Sequence, residues 1–125
     1  MINYYRFRRL SLFAALLALC VVVLGAYVRL SDAGLGCPDW PGCYGTLTVP
    51  QSEAAIKNAQ AIFPHSTIET GKAWKEMAHR YLAGTLGMIV LAVCAFGWRS
   101  KQHLKVSPLL PSTLLLIIAF QAALG

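Results

Sequence analysis

LSLFAALLALCVVVLGAYV, residues 10–28, runs for 19 positions without a charged side chain. A helix of that length covers roughly 28 Å, close to the hydrocarbon thickness of a bilayer. Two further stretches share the property: residues 81–98, 18 positions, and residues 106–125, 20 positions. The 125-residue chain is 57% hydrophobic, has a mean hydropathy of +0.56, and only 13% of its residues are charged. A soluble domain of this size carries far more charge. The pattern predicts an all-α integral membrane protein with three transmembrane helices.

The net charge of +6 is a topology signal. Arg6, Arg8 and Arg9 precede the first span, and Arg99, Lys101 and Lys105 separate the second from the third. Residues 29–80 hold five basic and five acidic side chains and sum to zero. The whole excess therefore flanks one side of the membrane, which the positive-inside rule makes the cytoplasm. This placement at the ends of apolar spans argues against a nucleic-acid partner, and none is expected. The expected order is a cytoplasmic tail (1–9), a first span (10–28), an external loop (29–75) and a second span (76–98). A cytoplasmic loop (99–107) and a third span (108–125) follow.

A basic start followed by an apolar run also fits a secretory signal peptide. This run is longer than an h-region, and residues 29–36 offer no clear small-x-small cleavage site, so an uncleaved anchor is expected. Nine residues are too few for a mitochondrial transit sequence, which leaves a bacterial inner membrane as the simplest setting, with membrane lipid as a partner. The third run ends at Gly125 with no polar flank. The chain is therefore expected to be part of a longer protein.

Within the external loop, SEAAIKNAQA (52–61) is rich in helix formers, with Ser52 placed to cap a short surface helix that Phe63-Pro64 interrupts. Thr70-Gly71 reads as the turn before the second membrane helix, which is expected to start just ahead of Trp74. Trp74, Tyr81 and Trp98 suit the interfacial aromatic belt. Pro111 falls in the first turn of the third span, where its missing N–H does little harm.

The chemistry-bearing residues gather at the outer ends of the spans. In KEMAHRYLAG (75–84), Glu76 and His79 stand one helical turn apart. Glu76, His79, Ala83, Gly87, Val90 and Cys94 share one helical face, polar at its outer end and small just below. A neutral imidazole above small residues is what axial ligation of a flat haem ring needs. An ordinary helix-packing groove with an interfacial histidine explains the same spacing. Glu76 could accept a proton, orient His79, or simply be a solvated carboxylate favoured at a helix start. Arg80 and Arg29 could pair with ligand carboxylates or with lipid phosphate. Cys37 and Cys43, six positions apart beside Pro38 and Pro41, face an oxidising compartment and are expected to form a disulfide, either a structural staple or a redox-active pair. Cys20 and Cys94 read as apolar filler, and His65 and His103 as solvated loop residues.

The loop GAYVRLSDAGLGCPDWPGCYG (25–45), the EMAHR at 76–80 and the spacing between them resemble the haem A synthase family, cytochrome oxidase assembly proteins that convert haem O to haem A. FQAALG (120–125) is similar to the family's third span, and the resemblance covers essentially the whole chain. It implies an eight-helix protein made of two four-helix bundles, each able to hold a haem between paired histidines. It also implies oxidation of a methyl substituent of haem O, through the alcohol, to a formyl group. Carried onto this sequence, His79 matches the first-half axial ligand to the haem iron, Glu76 the functionally important carboxylate, and Cys37 and Cys43 the external cysteine pair. Arg80 and Arg29 are the expected propionate partners. Haem O and haem A are the expected substrate and product at His79, and a haem b cofactor is expected in the second half. Haem O synthase and cytochrome oxidase assembly factors are the expected protein partners. The opposing histidine lies outside these 125 residues, so the chain alone is expected to be inactive. Two other functions fit the residues: a quinone-linked thiol-oxidising membrane protein, and a non-catalytic haem-binding assembly subunit.

Overall fold

The fold is seen in a computed structural model that describes residues 2–100 and 107–124. Lys101, His103 and Lys105 of the expected cytoplasmic loop lie outside the described residues. Four helices follow one another: α1 (Ile2–Leu30), α2 (Glu53–Ile62), α3 (Thr70–Arg99) and α4 (Leu109–Leu124). No extended strand occurs among the described residues. Tyr4–Leu30 and Thr70–Arg99 are long and apolar enough to cross a membrane. At 16 residues, α4 covers about 24 Å and falls short of that length.

Both long helices overrun the apolar stretches that announce them. α1 begins at Ile2, so residues 2–9 of the expected tail are helical. Once nucleated, a helix propagates at little cost, and nothing between Ile2 and Leu24 is glycine or proline. α3 begins at Thr70, ahead of the expected start near Trp74, and the Ala73 N–H already bonds the Glu69 carbonyl at 3.0 Å. Its 30 residues reach about 45 Å, well beyond a bilayer core. The expected Thr70-Gly71 turn is thus the first turn of the helix.

The contacts sort the chain into two compact units. Val21–Leu82 forms the first, which holds the end of α1, the connecting segment, α2 and the start of α3. α1 stops where Asp32 enters the left-handed region at φ 52°. There the Asp32 N–H reaches the Arg29 carbonyl and the Ala33 N–H reaches that of Val28, a Schellman ending with buried Val28 and Ala33 at its two positions. Ser52 caps α2 as expected, accepting from the Ala55 N–H at 3.2 Å, and the helix ends before Phe63. The core joins Cys37, Cys43, Tyr44, Val49, Ala59, Ala73 and Met77, with Phe63 and Ile68 packed on it. Met77 and Ala73 are fully buried, so the first two turns of α3 serve this core.

In the second unit, Phe7 stacks on Phe96 with ring centroids 6.1 Å apart. The Ser112 hydroxyl donates to the Pro108 carbonyl at 2.8 Å and accepts from the Trp98 indole N–H at 3.0 Å. The Cys94 thiol lies 3.3 Å from it, so this cysteine joins a polar contact and is more than filler. Along α3, Glu76 and Val90 are buried and His79, Ala83, Gly87 and Cys94 partly buried, whereas Tyr81, Leu82, Met88 and Leu91 are exposed. The face read from the sequence is the inward one.

Met77 fills the centre of the first core, so Met77→Ala should leave a cavity and lower stability by about 2–5 kcal/mol. Thermal unfolding in detergent, monitored by near-UV circular dichroism, measures the loss.

Candidate functional site

The segment between α1 and α2 closes on itself before it closes on anything else. Cys37 and Cys43 form a disulfide with sulfurs 2.03 Å apart. Cys43 and Thr46 pair through main-chain bonds of 2.8 and 3.2 Å around Tyr44 and Gly45. Both central residues have positive φ, at 54° and 77°, as a tight hairpin turn of the primed type requires. The Asp39 carboxylate steadies this turn by accepting the Tyr44 and Gly45 N–H groups. The peptide bond between Trp40 and Pro41 is cis. Both cysteines are buried, Cys43 fully, so the pair is part of the core and not an exposed thiol couple.

One turn of α3 holds this loop. The Cys37 N–H donates to Glu76 Oε2 at 2.9 Å, and Glu76 Oε1 accepts from Arg80 Nη2. Arg80 Nη1 donates to the carbonyls of Asp39 and Gly42, each at 2.7 Å. Glu76 is 6% exposed, and a carboxylate so buried needs such partners. The glutamate lies four residues before the arginine, the favourable order along a helix. Gly36 permits the close approach: a Cβ there would stand 2.8 Å from the backbone of Lys72 and Ala73. Tyr44 completes the contact, its ring edge-on to Phe63 at 5.9 Å and its hydroxyl donating to the Thr67 carbonyl at 3.2 Å. Burial foremost, then the charges of Glu69, Glu76 and Asp39, push the Tyr44 phenol above its ordinary value.

His79 lies between the two gripping residues in sequence and differs from both. Its Nδ1 is buried and has no hydrogen-bond partner, the one such side-chain atom among the described residues. Its ring rests on the backbone of α1 at Gly25, where a Cβ would come within 2.8 Å of Cε1. An unpartnered imidazole seated in a cradle open only to glycine fits a group awaiting a ligand, and a haem iron matches its chemistry. Arg29, in the last turn of α1, is exposed, and no hydrogen bond or ion pair engages its guanidinium among the described residues. Nearby, Lys72 bridges Asp32 at 3.4 Å and Glu69 at 3.2 Å, and Lys75 lies over the Tyr27 ring at 5.1 Å. His65 is exposed, as expected of a loop residue.

The structure therefore brings Glu76, Arg80, Cys37 and Cys43 together in one hydrogen-bonded assembly and sets His79 beside it. Three residues that the sequence left unassigned take part: Asp39, Gly36 and Gly25. Asp39 had a legible signal, an acidic residue just ahead of a Pro-Gly turn. The two glycines had none, because their role is the close approach of another backbone.

The described residues form an all-helical fold with two helices of membrane-crossing length, joined by a segment that a disulfide closes. The sequence profile of the family described as cytochrome oxidase assembly protein matches residues 8–125, and the chain belongs to that family. A haem A synthase of Shewanella oneidensis is 50% identical over 107 residues, which make up 86% of this chain and 32% of that protein. A haem A synthase of Bacillus licheniformis is 29% identical over 117 residues, 93% of this chain and 33% of that protein. One from Agrobacterium fabrum is 30% identical over 117 residues, 85% of this chain and 32% of that protein. The chain spans about a third of the length of these curated relatives. No solved structure matches it.

Arg80→Ala should free two loop carbonyls and leave Glu76 buried without its cation, lowering stability by about 3 kcal/mol. Arg80→Lys should rescue little, because a single ammonium cannot reproduce the fork. Hydrogen exchange of the amides between Cys37 and Thr46 reads both effects. Tyr44 should titrate above about 10, the usual tyrosine value. Because its folded pKa is the higher one, its stabilising effect is full below the unfolded value and is lost as pH rises through the folded value. The difference in ultraviolet phenolate absorbance between the parent and Tyr44→Phe measures the shift.

Proposed function

We propose that this chain is the N-terminal part of a haem A synthase and that His79 is an axial ligand to the iron of the substrate, haem O. The observation that carries the reading is the seated, unpartnered imidazole of His79 beside the loop that Glu76 and Arg80 hold. Haem O presents an iron centre for a neutral histidine and carboxylates for a cation. The reaction is stepwise oxidation of a ring methyl, through the alcohol, to the formyl group of haem A.

The residues divide the work by what already occupies them. His79 binds and orients the substrate, and its neutral ring nitrogen is the donor. Glu76 is the proposed catalytic carboxylate. Both of its oxygens already accept hydrogen bonds, so it acts as a fixed negative charge near the reacting edge and less as a proton acceptor. Arg80 is committed to the loop carbonyls and Glu76, which makes Arg29 the better partner for a propionate.

The wider setting belongs to the same proposal. α1, α3 and α4 are three spans of an eight-helix protein of two four-helix bundles in a bacterial inner membrane. The basic residues before α1 and after α3 keep the N-terminus in the cytoplasm. A fourth span supplies the opposing histidine, and the second half holds a haem b. Haem O synthase delivers the substrate, and cytochrome oxidase assembly factors take the product.

His79→Ala, made in the protein at its full natural length, should lower bound haem at least about tenfold and abolish haem A. Haem extraction with mass analysis reads both. His79→Gly supplied with free imidazole should recover part of the haem. A His79→Ala protein with unchanged haem and haem A would overturn the assignment. If Cys37→Ser abolished function while His79→Ala did not, the thiol-oxidising reading would replace it. Bound haem with unaltered side chains would make the chain a carrier.

A further inference from the structure

We propose that Gly25 is a positioning residue for His79, and that the absence of a side chain at position 25 sets where the imidazole stands. The inference rests on the reading of His79 as a haem ligand and names the residue that aims it.

Gly25 lies inside α1, five residues before its end. A glycine in a helix interior is less favourable than alanine, and no turn or positive φ excuses this one. What occupies the vacated space is the His79 ring. A Cβ at position 25 would lie 2.8 Å from Cε1, 3.3 Å from Nε2 and 3.5 Å from Nδ1. Carbon atoms in ordinary contact stand about 3.5–4.0 Å apart. The Cε1 carbon between the two ring nitrogens is therefore the atom that a side chain here would displace first, and moving it turns the nitrogens that could meet a metal.

The ring cannot retreat along its own helix. Glu76 and Arg80, three residues before it and one after, are tied to the loop by three hydrogen bonds and to each other by an ion pair. Rotation of α3 about its axis would break them. With the helix fixed and Nδ1 making no hydrogen bond of its own, the backbone of α1 is what holds the plane of the imidazole. A methyl group at position 25 would push that plane aside by several tenths of an ångström. Groups that orient a metal-binding histidine typically change affinity 10–100-fold when altered.

The test uses Gly25→Ala in the protein at its full natural length, purified from membranes, with haem affinity and the absorption spectrum of the ligated haem as readouts. The expected result is haem binding weakened about 10–100-fold, with a spectral change marking altered axial ligation. In a His79→Ala background the same substitution should cause no further loss, because the ring it displaces is gone. If Gly25→Ala alone fails to accumulate, the double variant Gly25→Ala/His79→Ala should accumulate normally. Unchanged haem affinity and spectrum in Gly25→Ala would overturn the inference while leaving the ligand role of His79 in place. So would a further loss, or failure to accumulate, in the His79→Ala background. An unaltered haem spectrum in His79→Ala alone would remove the ligand role itself, and the inference with it.

Discussion

The Arg80 guanidinium is the interaction on which the first unit depends. It faces two main-chain carbonyls of the disulfide loop and, through its other nitrogen, the buried Glu76. Glu76 in turn receives the Cys37 N–H. One turn of helix thus satisfies an acceptor and a donor at opposite ends of the disulfide ring, and a buried charge is neutralised in the same contact. Taking away either partner strands the other, so the assembly works as one piece. Everything packed around it follows: Gly36 against the backbone of α3, Met77 and Ala73 in the core, Tyr44 over Phe63.

That grip decides how the helix may turn. His79 falls between Glu76 and Arg80, so its direction is inherited from bonds that it does not make. The division of labour is physical. Residues saturated with hydrogen bonds hold the geometry, and the residue left with an unpaired nitrogen keeps its capacity for a ligand. Mechanisms that need a rigidly aimed donor commonly place the rigidity in the neighbours.

The existence of the long helices was legible in apolar runs free of charge, and the inward face of α3 was legible in its 3.6-residue period. Their ends were not. Hydropathy marks where lipid can begin, whereas a helix continues until something stops it. Ile2 and Thr70 therefore open helices that composition would start later. The Ser52 cap was legible because a side chain performs it. The partners of Arg80 were hidden, since main-chain carbonyls exist at every position and no residue type announces them. Spacing and compartment signalled the cysteine pair, but its burial depends on Val49, Ala59 and Met77, which arrive from other parts of the chain. Gly25 looked like one more small residue in an apolar run. Only the imidazole against it reveals its use.

The separations between bonded residues also order the assembly of the unit. The disulfide joins positions 6 apart, and the Cys43–Thr46 pairing is closer still. The contacts from Arg80 and Glu76 to the loop span 38 to 41 positions. Closing a short ring demands far less chain entropy than closing a long one. The loop can consequently shape itself as a finished knob, with its carbonyls already presented, before the second long helix comes to meet it. During synthesis that helix would find a socket partner already built, and its own rotation would be set at the moment of docking.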